Sequence, residues 1–122
     1  MQMQFGTCIY KELTVQLQEL SLRPYSGRLF LTRTVKDYEQ AHLRLFGKED
    51  TLNCAQAGRF SGAANAKGLW TYLVFGRKSD YLVHEFAHVV LHVFARCGID
   101  PIEANGEPFC CLLSQLFLDS KS

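Results

Sequence analysis

A marked excess of charge of either sign is missing from this chain. Its 13 Lys and Arg stand against 12 Asp and Glu, leaving a formal net charge of +1. No basic tract stands out, so composition gives no support for a nucleic-acid partner. No apolar run is both long enough and free enough of charged residues or histidine to span a bilayer. The opening residues, "MQMQFGTCIYKEL", lack the basic start and apolar core of a signal peptide. The cysteines Cys8, Cys54, Cys97, Cys110 and Cys111 are odd in number and form no CxxC pair. That pattern argues against a disulfide framework and for reduced, mostly buried thiols in a cytoplasmic protein. Repeats, low-complexity tracts and linkers are absent too, which leaves residues 1–122 as a single domain. Glycines cluster between Leu52 and Gly76, but neither G-x-x-x-x-G-K-[ST] nor GxGxxG occurs there. A phosphate-binding loop is therefore not indicated.

What remains is a globular composition, 48% apolar and 20% charged. Tyr10 to Leu22 is ambiguous: Leu13, Val15 and Leu17 alternate as in a strand, while Leu13, Leu17 and Leu20 share a helical face. "RPYSG" breaks that segment with turn residues. "RLFLTR", Arg28 to Arg33, reads as a strand. Thr34 and Asp37 then have capping-box spacing for a helix with Val35, Tyr38, Leu45 and Phe46 inward, ending at Gly47. A hairpin follows, with a first strand near Ala57 to Ser61, a turn at "NAKG" and a second strand over Leu69 to Phe75. Ser79 or Asp80 can cap a long helix that Gly98 ends. A last helix begins near Pro108. Mixed strands and helices, with two helices last, predict an α+β domain.

The long helix, "SDYLVHEFAHVVLHVFARCG", is nearly all apolar yet carries His84, Glu85, His88 and His92. At about 100° per residue these four fall on one stripe roughly 100° wide, with Tyr81 beside them. Such polar groups on a buried helix are costly unless something satisfies them. His84, Glu85 and His88 form H-E-x-x-H. Histidines four apart can converge on one zinc ion, and the glutamate between them can take a proton from metal-bound water. His92 lies about 12 Å along the axis from His84, too far to share that ion in a regular helix. It is left to a supporting hydrogen bond, a substrate contact or a satisfied place in the core. A third ligand is expected from the next helix, where Glu107 is favoured over Glu103 because Glu103 falls in the connecting loop.

"LVHEFAHVV" and the downstream "NGEPF" together resemble the zincins, in particular the gluzincin branch. The closer resemblance is to small zincin-like proteins of tailed phages and prophages, and it covers roughly Leu69 to Leu118. It implies a short sheet packed against the H-E-x-x-H helix and a C-terminal ligand helix. It also implies zinc held by His84, His88 and Glu107, with Glu85 as general base. The chain departs from the larger gluzincins at Cys111, where these often place an Asp that orients a histidine. Pro108 also puts Glu107 at a helix start. Candidates for stabilising an oxyanion are Tyr72, Tyr81 and His92.

The function expected from these residues is a small zinc-dependent hydrolase, a metallopeptidase acting on a peptide or protein in the cytoplasm, a host's if the chain is phage-encoded. Two alternatives stay open. One is a catalytically weak or inactive zincin-like binding protein, a phage-encoded modulator of a host protein. The other is a structural zinc site closed by His92, Cys110 or Glu103. Coordination number separates a closed site from an open one.

Overall fold

The computed structural model describes residues 4–10 and 13–121, with side chains from Val15 onward. Five strands and three helices follow one another as β1 (Gln4–Tyr10), β2 (Leu13–Leu20), β3 (Arg28–Thr32), α1 (Val35–Phe46), β4 (Gly58–Ala64), β5 (Trp70–Gly76), α2 (Ser79–Cys97) and α3 (Glu107–Asp119). The strands make one mixed sheet in the order β1-β2-β3-β5-β4. Only the central β3–β5 pair is parallel; the others are antiparallel. This is the α+β domain expected from the alternation of elements.

Strand periodicity sorts the core into two layers. Leu29 and Leu31 of β3 and Tyr72 and Val74 of β5 point to one face, where they meet Leu82, Phe86, Val89, Val90 and Val93 of α2 and Leu112 and Leu116 of α3. Phe30, Leu73 and Phe75 point to the other, against Tyr38 and Ala41 of α1. The central strands are thus buried on both faces, which is why they read as near-continuous apolar runs. The same logic resolves the segment before "RPYSG". Val15 and Leu17 pack towards α1 while Leu20 packs towards α2. Only an extended strand sends neighbours to opposite layers in that way.

Local signals set the element ends. The Thr34 hydroxyl accepts from the Asp37 N–H at 3.1 Å and starts α1. Asp37 does not complete a capping box; its carboxylate instead accepts the Gln16 N–H of β2 at 3.4 Å. Gly47 and Gly98, both left-handed, end α1 and α2 as expected. The α2 start differs from the expected cap. Lys78 is the N-cap and contributes no side-chain bond, so Ser79 and Asp80 lie inside the first turn. The Asp80 carboxylate accepts the Tyr81 N–H at 3.0 Å, one of the free donors of that turn, and is favourably placed against the helix dipole. The "NAKG" turn closes the β4–β5 hairpin. The Asn65 carbonyl accepts the Gly68 N–H at 3.0 Å, and its side-chain oxygen accepts from Lys67 and Leu69 at 2.9 and 3.0 Å.

The cysteines depart from expectation. Cys54, Cys97, Cys110 and Cys111 are free thiols but exposed rather than buried. Cys54 sits in an irregular loop, and the other three lie on parts of α2 and α3 that face away from the two cores. Cys8 belongs to β1, and its side chain lies outside the described set. No helix among the described residues is long and apolar enough to cross a membrane.

One close approach governs how α2 meets the sheet. Gly58 of β4 and Gly76 of β5 are directly paired across the strands. A methyl group on Gly76 would lie 2.5 Å from Leu82 Cδ2, and one on Gly58 would lie 2.6 Å from Glu85 Oε2. The glycine pair forms a saddle into which the first turns of α2 sink. Gly76→Ala is expected to overpack this contact and cost about 1–3 kcal/mol of stability. A urea midpoint unchanged from the parent would show that α2 does not rest there.

Candidate metal centre

α2 presents three kinds of side chain in register. Leu82, Phe86, Val89, Val90, Val93 and Phe94 face the core, while His84 and His88 are exposed on the flank towards β4. Glu85 lies between these faces and is only 7% exposed. Ligand atoms of His84, Glu85 and His88 all come within 4.8 Å of one another. The two histidines turn their Nε2 atoms together, 3.2 Å apart. Two nitrogens on a tetrahedral zinc ion, each at about 2.05 Å, are separated by about 3.3 Å. The spacing of the pair is thus compatible with two ligands of one metal ion. Phe60 of β4 stacks on the His88 ring at 5.9 Å and 17°, which fixes its plane.

Glu85 occupies the saddle. Its carboxylate lies against the α-carbon of Gly58, where an added methyl group would force the carboxylate to move. Burial pushes its pKa up, and the neighbouring His84, His88 and Arg59 oppose that shift. Beside it opens a cavity of about 400 Å³ lined by Ala57, Gly58, Asp80, Tyr81, His84 and Glu85. Tyr81 is 40% exposed on this rim. A second hollow, of about 230 Å³ and lined by residues between Glu19 and Gly27, lies on the β2–β3 side, away from these histidines.

The wall carrying Gly58 is fastened from the opposite layer. Tyr38 of α1 donates to Asp50 at 2.7 Å and also meets Ser61 of β4. Asp50 in turn accepts two bonds from Arg59, both at 3.0 Å. Arg77 donates to the carbonyls of Gln56 and Cys54. The Tyr38 hydroxyl is pushed well above its usual range, first by burial and then by the Asp50 carboxylate beside it. It therefore stays a hydrogen-bond donor.

His92 and Tyr72 are used elsewhere. Arg96 Nε donates to the Tyr72 hydroxyl at 2.9 Å, and that hydroxyl shares a hydrogen bond with His92 Nδ1 at 2.8 Å. Burial and then the Arg96 charge favour the neutral imidazole of His92. Its ring lies 4.4 Å from that of Trp70. Arg96 also ties to Ser26 in the β2–β3 connection, with Nη1 donating to Oγ at 3.1 Å. Tyr72 is fully buried, so it cannot face a substrate. Of the three oxyanion candidates, only Tyr81 stands at the cavity.

Glu107 is not in the group that the structure brings together. Phe109, two residues on, packs against Phe94 at 6.1 Å, near the far end of α2. Further along α3, Gln115 donates to the carbonyls of Ser21 and Arg23, and Gln18 of β2 donates to the Asp119 carbonyl. So α3 lies over the β2–β3 side of α2, whereas His84 and His88 face β4. The chain turns into α3 through Ala104, Asn105 and Gly106, all with positive φ. Glu107 accepts a long 3.9 Å contact from the Cys111 thiol. Glu103 is exposed in the same turn and is likewise outside the His84–Glu85–His88 group.

Gly58, Phe60 and Arg59 shape the site but were not singled out from sequence. The available signal was glycine inside a strand, which marks a close backbone approach. Comparison of the chain with protein-family models, with curated proteins and with solved structures finds no match. The likeness to zincins therefore rests on the motif and on a His-Glu-His group able to hold a metal.

Burial, and then Arg96, lower the His92 pKa below its ordinary value of 6.5. The unfolded chain thus takes up this proton first, and stability should fall as pH drops below about 6.5 towards the folded-state value. His92→Gln should flatten that acid slope. Urea midpoints measured across this range for both proteins provide the check, and parallel curves would refute the assignment.

Proposed function

We propose that this protein is a zinc-dependent hydrolase of peptide or protein substrates, with His84 and His88 holding the metal and Glu85 as general base. The observation that carries this reading is the pair of Nε2 atoms 3.2 Å apart beside the buried Glu85 carboxylate. When bound, zinc would bring the pKa of a coordinated water towards neutrality and polarise the carbonyl under attack.

The chain's own residues account for the remaining roles. Desolvation in the glycine saddle raises the proton affinity of Glu85, which suits it to accept a proton. Phe60 holds the His88 plane. Tyr81 is placed to donate a hydrogen bond to charge that develops in the cavity. β4 is an edge strand of the sheet and borders the cavity, so an extended peptide can add beside it through main-chain bonds. Glu107, standing on the other flank of α2, leaves the described site with two histidines and the base. The reading of the chain as a binding protein on the same scaffold differs in one respect: it needs the metal but not Glu85.

Metal analysis of protein purified without added metal is the direct test. We expect bound zinc in the parent and none in His84→Ala; metal in neither would remove the basis of the proposal. Glu85→Gln should keep the metal and lose at least about 100-fold in hydrolysis of an unfolded protein substrate. Undiminished hydrolysis would overturn the role of Glu85, and absence of hydrolysis in the parent would favour the binding protein.

A further inference from the structure

The solvent face of α2 reads as an association seam. Tyr81, His84, His88, Leu91 and Ala95 are all exposed. Their alternating spacings of three and four residues place them on one stripe about 80° wide. That is the a/d pattern of a helix that pairs with another helix. Tyr81 and Leu91 remain 40% and 43% exposed. From Tyr81 to Ala95 the only charged residue is Glu85, and it is buried. A solvent-facing helix surface normally carries charges along such a stripe.

The seam is also self-complementary. Tyr81 and Leu91 lie equally far from Phe86 along the helix, and so do His84 and His88. An antiparallel pairing of two α2 helices about a twofold axis at that level sets Tyr81 of one copy against Leu91 of the other. It also sets His84 of each copy against His88 of its mate, as an isologous contact requires. The site lacks what that pairing provides. Each chain offers two convergent imidazoles, and no third ligand beyond Glu85 stands with them among the described residues. Tetrahedral zinc takes four ligands in a closed site.

We infer that two copies of this chain join through α2 and share one zinc ion between their His84 and His88 pairs. The inference rests on the same histidine pair as the proposed function and assigns it a regulation. In the pair, four imidazole nitrogens leave no position open for substrate, so the dimer is a closed form and the monomer the working one. The Tyr81 and Leu91 contacts cover the ion on both sides.

The test is native mass spectrometry with zinc analysis on the whole chain, with and without a chelator, alongside Leu91→Glu. Expected for the parent is a twofold rise in mass with one zinc per two chains, reversed by the chelator. Leu91→Glu should stay at the mass of one chain and carry one zinc per chain, which also shows that it folds. A parent that remains a single chain with one zinc overturns the shared site and leaves the hydrolase reading standing. A dimer that survives the chelator, or that carries two zinc ions, overturns it as well. A parent that binds no zinc overturns both readings.

Discussion

The seating of α2 on the paired glycines Gly58 and Gly76 is the contact on which the site depends. Without side chains at those positions, the first turns of the helix approach the β4–β5 hairpin closely enough for Leu82 to be buried and for the Glu85 carboxylate to lie against backbone. The helix pitch then places His84 and His88 one turn apart on the outer flank, with their nitrogens converging. A bulkier pair would lift the helix and move base and histidines together, because all three sit on the same two turns. Backbone clearance in the sheet and the chemistry above it are thus one constraint.

A second consequence of the layering is the separation of polar duties along α2. Glu85 keeps a largely buried carboxylate next to the cavity, with its pKa raised by desolvation, a state that suits a functional group. His92, two turns on, is fully engaged by Tyr72, with Arg96 and Ser26 behind it. The same stripe therefore carries one end that is poised and one end that is satisfied. The satisfied end locks α2 to β5 and to the β2–β3 connection, holding the poised end in place.

Much of this was legible in the sequence, and what was not has a physical reason. H-E-x-x-H located His84, Glu85 and His88 because a helical period is a local property. The axial argument against His92 as a ligand agrees with its bonding to Tyr72. The α+β class and the helix ends at Gly47 and Gly98 were legible for the same reason, since turn glycines act locally. Glu107 could not be placed from spacing. Whether α3 lies on the β4 side of α2 or on the β2 side depends on which sheet face and which neighbour bury Leu112 and Leu116, a tertiary matter. The exposure of Cys97, Cys110 and Cys111 was missed similarly, because apolar surroundings in sequence do not say which side of a helix faces outward. Gly58 reads as an ordinary strand glycine until the helix above it is known.

The fastening of the loop between α1 and β4 gives the site a weak point of its own. That segment has no regular hydrogen-bond ladder and is pinned by the side chains of Tyr38, Glu39, Arg59 and Arg77. Bonds of this kind open in local fluctuations that cost less than global unfolding. Release of the loop would free the start of β4 and, with it, the wall behind Glu85, while α2 stayed packed on β5. Warming should therefore loosen the wall behind Glu85 before the sheet melts, so the Glu85 carboxylate keeps its seat over a narrower temperature range than that over which the chain remains folded.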